Sequence, residues 1–345
     1  MLESWRTFLQ DSNAVIENDQ VVHFDNRLAE LKQVQNGTIL VDLSHYGLLR
    51  FSGVDVQTFL QNQLSCDVRE VTENQGQYGS YCTPKGRVLA SFILWQKDDA
   101  WIMQLPASLC AGMQKKLSMF ILRAKVNITD SSNQWVRMGI AGKEACQRLQ
   151  EVLEISPEEC AQLRMIHTSD ASILCHAPDR LELIAIEASA HKIWQLLSKN
   201  ACPAGAGCWN WLEINAGIPA ITVETQEQFL PQMINLDLIG GVSFKKGCYP
   251  GQEIVARTQH LGQLKRRMYL ANIGTNDPVS AGDDIFGTDA ENQSCGKIVN
   301  AAASPDGGFD VLAVIQISSV DAGKLYLKYP DGPELHIRRL PYSPK

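Results

Sequence analysis

The sequence lacks a hydrophobic run long enough to cross a membrane. A transmembrane helix needs about 18 or more consecutive apolar residues, and no segment of the 345-residue chain reaches that length. The first ten residues, MLESWRTFLQ, also lack the basic start and the apolar centre of a secretory signal peptide. We therefore expect a cytoplasmic protein without a membrane partner.

The sequence also lacks the cysteine spacing of a metal site. Its ten cysteines include no C-x-x-C pair, and no cysteine–histidine spacing resembles that of a zinc site. In a chain without a secretion signal, cysteines remain reduced thiols. The pattern therefore predicts no bound metal and no disulfide framework.

Basic residues are fewer than acidic ones, 31 against 38, and the formal net charge of −7 does not favour nonspecific binding to nucleic acid or membranes. Residues 238–276 depart from this balance, because Glu253 is their single acid. Their cations are Lys245, Lys246, Arg257, Lys265, Arg266 and Arg267. This basic strip suits an anionic ligand, and a solvated basic face is the alternative interpretation.

The hydrophobic pattern predicts an α+β fold. Two short strands precede a helix at Val56–Asn62, and Pro106 opens a helix that runs to about Leu122. A second mixture of strands and helices follows without the regular alternation of a parallel sheet. Beyond residue 260, short strands separated by Pro-Asp-Gly turns indicate a small β-barrel. We expect one domain over residues 20–260 and a barrel domain over residues 261–345.

Residues 240–262 are the most informative segment, because glycines and a proline surround Cys248. The sequence Tyr249-Pro-Gly-Gln252 fits a type II turn, in which proline fixes φ and Gly251 takes a positive φ. This pattern places Cys248 directly before a tight turn.

The residues that precede the turn predict a reactive thiol. Gly247 has no side chain, so a ligand can approach the backbone beside Cys248. Lys245 and Lys246 favour the thiolate form of Cys248 electrostatically. A structural cysteine in a turn is the alternative.

The segment at residues 245–253, Lys-Lys-Gly-Cys-Tyr-Pro-Gly-Gln-Glu, resembles the K-G-C-Y-x-G-Q-E signature of the YgfZ family. These proteins are folate-binding relatives of the glycine cleavage T-protein, the aminomethyltransferase. Leu49–Asp67 is similar to the family pattern V-x-G-x-D-A-x-x-F-L-Q-x-Q-x-T-x-D. Further similar segments follow in order: Thr83–Arg87, Leu122–Val126, Glu213–Pro219, Phe229–Gln232 and Lys265–Arg267. The resemblance runs from about residue 37 into the barrel.

The resemblance implies a T-protein-like folate-binding body, with ferredoxin-like subdomains around a central cavity, followed by a small β-barrel. It implies binding of tetrahydrofolate or another reduced folate and support of iron–sulfur cluster assembly or repair. The partners would be iron–sulfur enzymes or assembly proteins, with an indirect link to tRNA modification through cluster-dependent enzymes.

Carried over residue by residue, the resemblance makes Cys248 the catalytic candidate. Its matching surround consists of Lys246, Gly247, Tyr249, Gly251, Gln252 and Glu253. Whether Cys248 acts as a nucleophile, an iron ligand or a redox thiol stays open at this point.

Two departures from the T-protein pattern disfavour glycine cleavage activity. Ala90 and Ser91 stand where the transferase carries the carboxylates of its G-G-I-I-D-D stretch. Neither side chain can orient or deprotonate an amine-bearing intermediate as a carboxylate does. Asn215 stands where the transferase anchors its pterin with a glutamate, so it can pair with the pterin edge only without charge assistance.

Asn215, Trp211 and Arg257 are the candidate folate-binding residues. Trp209 and Trp211 flank a strand expected to carry Asn215, where their rings can stack on a pterin or aminobenzoate ring. Core packing is the alternative for both tryptophans. Arg257 can hold the glutamate tail of folate through charge-assisted hydrogen bonds, and a plain exposed face is the alternative.

Three functions from different classes therefore remain. The favoured one is a folate-binding accessory protein that uses Cys248 in maintaining iron–sulfur enzymes. The second is a folate-dependent aminomethyl or one-carbon transferase with altered catalytic residues. The third is a module that binds tRNA or a partner enzyme through the basic strip.

Overall fold

The structure is a computed structural model that describes residues 1–155, 160–260, 262, 264–289 and 293–343. The chain forms two compact units, each built from separate segments. Unit 1 contains Met1–Gly53, Glu70–Gly76 and Leu94–Trp209. Unit 2 contains Val54–Arg69, Gln77–Ile93 and the chain from Asn210 onward.

Helices and strands are mixed along the chain, which confirms the predicted α+β class. The helices of the described residues are α1 (Glu3–Asp11), α2 (Arg27–Asn36), α3 (Val56–Gln61), α4 (Ala107–Ser118), α5 (Ala145–Leu153), α6 (Glu187–Leu197), α7 (Ala206–Asn215), α8 (Gln252–His260) and α9 (Ile317–Ala322). Short 3-10 helices lie at Val68–Glu70 and Val223–Thr225. Within the described residues, no helix combines the length and the apolar character that a membrane span requires.

The first strands of the described residues are β1 (Val15–Glu17), β2 (Gln20–His23), β3 (Ile39–Asp42), β4 (Tyr46–Ser52), β5 (Gln77–Cys82), β6 (Val88–Lys97), β7 (Ala100–Pro106), β8 (Asn127–Asp130), β9 (Val136–Ala141) and β10 (Arg164–His167). The remaining ones are β11 (Ala171–Ala177), β12 (Arg180–Ala185), β13 (Cys202–Ala204), β14 (Arg266–Ile273), β15 (Asp284–Gly287), β16 (Ser294–Ala303), β17 (Phe309–Gln316), β18 (Leu325–Leu327) and β19 (Leu335–Arg338). Strand β6 begins in unit 2 and ends in unit 1.

The largest sheet of unit 1 has the strand order β10-β11-β12-β9-β3-β13. Neighbouring strands run antiparallel, except β3 and β13, which run parallel. Strands β9 and β12 are buried along their whole length because side chains pack on both faces of the sheet. Trp5 of α1, Leu149 of α5 and Trp194 of α6 belong to the apolar core that covers one face. A second group in unit 1 pairs β7, β4 and β8 in antiparallel order.

Residues 1–20 look polar and uninformative in the sequence, yet α1 is part of the core of unit 1. Trp5 is 1% exposed, and its Nε1 donates a hydrogen bond of 2.8 Å to Oδ1 of Asp42. Burial raises the pKa of Asp42, while the hydrogen bond from Trp5 opposes that rise. The spacing of Trp5, Phe8 and Leu9 on one helical face is the signal that predicts this helix.

Helix α4 ends earlier than the sequence predicts, at Ser118 rather than near Leu122. Its last turn is followed by Met119 and Phe120, which are 61% and 48% exposed, so no packing extends the helix. Leu122 then takes a φ of 48°, which is incompatible with a continuing right-handed helix.

In unit 2, β5 pairs with β6, and a separate antiparallel sheet follows with the order β18-β15-β16-β17-β14-β19. This second sheet curls until its outer strands meet. Tyr326 of β18 bridges Glu334, directly before β19, and the N–H of Leu327 donates to the carbonyl oxygen of Pro333. The apolar core inside it includes Ile285 and Val311. The predicted small C-terminal barrel is therefore confirmed.

Gly139 of β9 tests the packing of unit 1. A Cβ atom at this position would lie 2.3 Å from Cζ3 of Trp209. We expect Gly139→Ala to lower the free energy of unfolding by about 1–3 kcal/mol, because the tryptophan must shift in a packed core. The measurement is urea denaturation followed by circular dichroism.

Gly112→Ala is the matched control, because a Cβ at this position in α4 meets no atom within 4 Å. Alanine is a better helix former by up to about 1 kcal/mol, so this variant should be at least as stable as the wild type. Equal stability of both variants would contradict the packing of Trp209 on β9.

Candidate functional site

Cys248 lies on the surface of a loop that we call the Cys248 loop (residues 245–251), directly before α8. The Cys248 side chain is exposed, whereas Lys246 and Tyr249 on either side of it are buried at 4% and 7% exposure. A Cβ atom added to Gly247 would meet no atom within 4 Å. A molecule in solution can therefore reach both the thiol and the backbone beside it.

Lys246 fixes the loop from inside the protein. Its Nζ donates hydrogen bonds of 2.6 Å to the carbonyl oxygens of Gln61 and Leu64, and one of 3.0 Å to that of Cys66. These carbonyls lie at and just beyond the C-terminal end of α3, where a helix leaves its carbonyl groups without internal partners. A lysine at this end is also favoured by the helix dipole.

The surroundings of Lys246 differ from those that the sequence suggests. An ammonium group has three N–H donors, and the three carbonyls use all of them. Burial lowers the pKa of Lys246 to about 8, while Cys66 and Asp67 act in the opposite direction. Its Nζ lies 5.1 Å from the centre of the Tyr249 ring, a cation–π contact inside the loop. Lys246 therefore anchors the loop, and only exposed Lys245 keeps the expected role of a cation at the surface.

The segment that receives Lys246 is itself held by polar contacts. Asp67 accepts hydrogen bonds from the Arg69 guanidinium and from Gln61, and the Arg69 bonds lower the pKa of Asp67 to about 2. The N–H of Ser243 donates to the carbonyl oxygen of Ser65 at 2.9 Å. The Leu49–Asp67 motif thus meets the chain that leads into the Cys248 loop.

The turn after Cys248 has the geometry that the sequence predicts. Gly251 has a φ of 83°, and the N–H of Gln252 donates to the carbonyl oxygen of Tyr249 at 3.1 Å. A Cβ on Gly251 would lie 2.5 Å from the carbonyl oxygen of Thr83 and 2.6 Å from Cα of Gly86. Glycine is required here because the turn packs directly on the Thr83–Arg87 motif.

Helix α8 continues from this turn. Gln252 donates from Nε2 to the carbonyl oxygen of Lys246 at 3.3 Å, which ties the helix start to the loop. Val255 is fully buried, and its carbonyl oxygen accepts a hydrogen bond of 2.6 Å from buried Gln232. Glu253 and Arg257 are exposed on the other side of the helix.

Trp211 and Asn215 lie together, but on α7 rather than on the predicted strand. Trp211 donates from Nε1 to Oδ2 of Asp310 at 2.7 Å, and Asn215 donates from Nδ2 to the same oxygen at 3.3 Å. Asn215 also donates to the carbonyl oxygen of Trp211 at 3.0 Å. The strand prediction was wrong because the two tryptophans suggest a pleated surface, whereas the one-turn spacing of residues 211 and 215 suits a helix.

Asp310 is the functional candidate that the sequence analysis missed. This carboxylate of β17 is 1% exposed and also accepts hydrogen bonds from Asn272 and Arg338, both at 2.8 Å. A carboxylate inside the apolar strand FDVLAVIQ was the available signal. Buried carboxylates need such partners, so Asp310 fixes both Trp211 and Asn215.

The predicted site residues therefore fall into two groups. The Cys248 loop and the start of α8 hold the thiol and its motif. Asp310 holds Trp211 and Asn215. Among the described residues, no hydrogen bond joins these two groups. Arg257 lies on the exposed side of α8.

Ser91, one of the residues that replace the transferase carboxylates, has a structural contact. Its hydroxyl donates to the carbonyl oxygen of Pro219 and accepts from the N–H of Ile221, both at 3.0 Å. The side chain is 6% exposed. Ser91 thus connects β6 to the chain after α7 instead of presenting a reactive group.

The basic strip is only partly available to a ligand. Lys246 is buried on carbonyl groups, and Arg267 forms an ion pair of 2.7 Å with Asp237. Arg267 also donates to the carbonyl oxygen of Gln232. Lys245, Arg257 and Lys265 remain exposed.

Replacing Lys246 tests the anchor. Lys246→Met removes all the N–H donors and leaves buried carbonyl oxygens without partners, so we expect the free energy of unfolding to fall by about 2–3 kcal/mol. Lys245→Met is the matched control, because this neighbour is exposed and should change stability by less than about 0.5 kcal/mol. Chemical denaturation measures both variants, and equal effects would contradict the anchor.

Three comparisons identify what the chain is similar to. A family model described as the GCVT N-terminal domain matches residues 8–246. The curated relative named tRNA-modifying protein YgfZ from Colwellia psychrerythraea is 32% identical over 280 residues, which are 81% of this chain and 85% of the relative. A protein of the same name from Enterobacter sp. is 31% identical over 307 residues, which are 88% and 93% of the two chains.

The fold has a solved counterpart. The crystal structure of glycine cleavage system aminomethyltransferase T from Bartonella henselae matches 99% of this chain and 97% of its own, with a TM-score of 0.79 at 14% identity. This confirms the predicted T-protein-like fold. With the relatives above, it shows that the chain belongs to the YgfZ family of GCVT-like proteins.

Proposed function

We propose that this protein is a folate-binding accessory factor that supports iron–sulfur cluster assembly or repair through Cys248. Its beneficiaries include cluster-dependent enzymes that modify tRNA, in line with the name tRNA-modifying protein that its relatives carry. We place it in the cytoplasm as part of the same proposal, because its cysteines form no disulfide bond among the described residues.

The observation that carries the proposal is the contrast between Cys248 and its neighbours. Lys246 and Tyr249 are buried and hold the loop, while Cys248 is exposed between them. A cysteine that served only as a small apolar side chain would lie inside the protein. The buried side chains of Lys246 and Tyr249 hold the loop so that the Cys248 thiol lies at the surface. This arrangement suits a cysteine that reacts with other molecules.

Other thiols in the structure lie in different surroundings. Burial raises the pKa of Cys82 and that of Cys110 to about 12, so both remain protonated at neutral pH. A protonated, buried thiol is neither a good nucleophile nor a good metal ligand. The proposal therefore gives the chemistry to Cys248, whose exposed sulfur attacks, ligates iron or exchanges disulfides.

The fit to a reduced folate is partial. Asp310 already uses the indole N–H of Trp211, and Asn215 uses both of its amide hydrogens, on Asp310 and on the carbonyl oxygen of Trp211. Asn215 can therefore offer only its Oδ1, as an acceptor for the N–H groups of a pterin. Arg257 is exposed and can pair with the carboxylates of a glutamate tail.

The alternative functions have less support. A one-carbon transferase needs a group that can take a proton, and Ala90 and Ser91 provide none, since the Ser91 hydroxyl is used by the backbone around residue 220. In a nucleic-acid module based on the basic strip, Lys246 and Arg267 could not contact phosphates, because both side chains bind groups inside the protein. These observations favour the accessory role.

Cys248→Ser should abolish function without unfolding the protein. An exposed side chain contributes little to the core, so we expect the free energy of unfolding to change by less than about 0.5 kcal/mol. A serine hydroxyl does not replace a thiolate as a soft ligand or redox nucleophile. The measurement is complementation of a strain that lacks its YgfZ-family protein, scored by the output of an iron–sulfur enzyme.

Cys202→Ser is the matched control, because Cys202 is half-buried and lies outside the motif. It should complement as the wild type does. Full complementation by Cys248→Ser would show that the thiol is structural and would end the proposal. A large loss of stability would instead show that the Cys248 side chain packs inside the protein.

Charge reversal at Arg257 tests the proposed binding of the folate glutamate tail. We expect Arg257→Glu to weaken binding of a polyglutamylated tetrahydrofolate by about tenfold or more, since each charge-assisted bond contributes roughly 1.5–3 kcal/mol. The affinity for the monoglutamate form should fall by a smaller factor. Titration calorimetry measures both, with Lys192→Glu on α6 as an exposed control. Equal losses for both folates would reject the tail-binding role of Arg257.

A further inference from the structure

An exposed basic and apolar surface lies at the end of α4 and in the loop after it. We call it the 115–125 patch. Its exposed residues are Lys115, Met119, Phe120, Leu122, Arg123 and Lys125, and half-buried Lys116 lies among them. It overlaps the Leu122–Val126 motif, which the proposed function leaves without a role. The patch belongs entirely to unit 1.

The backbone holds the apolar side chains of the patch outward. The N–H of Phe120 donates to the carbonyl oxygen of Leu117 at 3.0 Å, and that of Ala124 donates to Ile121 at 2.8 Å. Leu122 has a φ of 48° and is 88% exposed. A large apolar residue in a left-handed conformation, almost fully in solvent, contributes nothing to the core and points to an interaction.

The charge along this stretch of the sequence is of one sign. Residues 100–129 contain no aspartate or glutamate, in a chain whose net charge is −7. The exposed cations of the patch that we expect a ligand to contact are Lys115 and Arg123. At physiological salt, the screening length is about 8 Å, so a partner at the patch experiences the local cations more than the distant acids. The surface is therefore complementary to a polyanion.

We propose that the 115–125 patch is a docking surface for RNA, and specifically for tRNA, a choice of RNA that rests on the proposed function. The cations contact backbone phosphates, and Phe120 stacks on an unpaired base. This combination of a basic surface with an exposed aromatic side chain is what binding to single-stranded nucleic acid requires.

A lipid surface is the less suitable partner. Membrane-surface helices insert one apolar face, but the apolar residues of α4, among them Met113 and Leu117, are already buried in unit 1. Only the loop residues Met119, Phe120 and Leu122 remain outside. They offer little area for insertion, whereas a single ring is enough to stack on one base.

The test is fluorescence anisotropy of the purified full-length protein with a labelled tRNA transcript, from about 50 to about 200 mM salt. The wild type should bind with an affinity that falls as salt rises. The double variant Lys115→Gln with Arg123→Gln should bind about tenfold more weakly and lower the slope of log Kd against log salt by about 2. Phe120→Ala should lose about fivefold with an unchanged slope, because stacking releases no counterions.

The matched control is Lys192→Gln with Lys199→Gln, which removes two exposed cations of unit 1 outside the patch and should keep the wild-type affinity. The proposal is overturned if wild-type protein does not bind tRNA, if the control loses as much affinity as the patch variant, or if vesicles containing phosphatidylglycerol bind the patch in preference to tRNA. Any of these results would reject the docking surface without rejecting the proposed function, because complementation by Cys248→Ser tests the thiol alone.

Discussion

The hydrogen bonds from the Lys246 ammonium group to the end of α3 are the interaction on which the candidate site depends. A buried charge is tolerated only where polar partners replace water, and the carbonyls of Gln61, Leu64 and Cys66 do so. They fix the chain two residues before Cys248. Since Gly247 adds no side chain, Lys246 and Tyr249 supply the buried side chains that hold this loop, and the thiol remains outside.

Much of the fold could be predicted from the sequence, because alternation of apolar residues and turn sequences report on local structure. The class, the strands around Tyr46–Ser52 and the C-terminal barrel follow from such patterns. Helix α1 was missed because its polar composition outweighed the apolar face formed by Trp5, Phe8 and Leu9. The end of α4 was missed because no local signal marks the reversal at Leu122. The domain boundary at residue 260 stays a prediction.

The candidate site was predictable in its residues but not in their roles. The turn geometry of Gly251 follows from its sequence because only glycine accepts that φ at low cost. The role of Lys246 does not, since its acceptors lie about 180 residues away in the chain. The same holds for Asp310, which fixes Trp211 and Asn215 through contacts between a barrel strand and a helix. Long-range polar contacts leave no periodic trace in a sequence.

The central claim is that function requires a thiol held in place, and not merely a thiol. The most direct measurement is complementation by Lys246→Met, which retains Cys248, scored by iron–sulfur enzyme output at a temperature where the variant is folded. Loss of about 2–3 kcal/mol leaves a typical protein mostly folded. The account predicts that Lys246→Met fails to complement while Lys245→Met succeeds. Full complementation by Lys246→Met would contradict it.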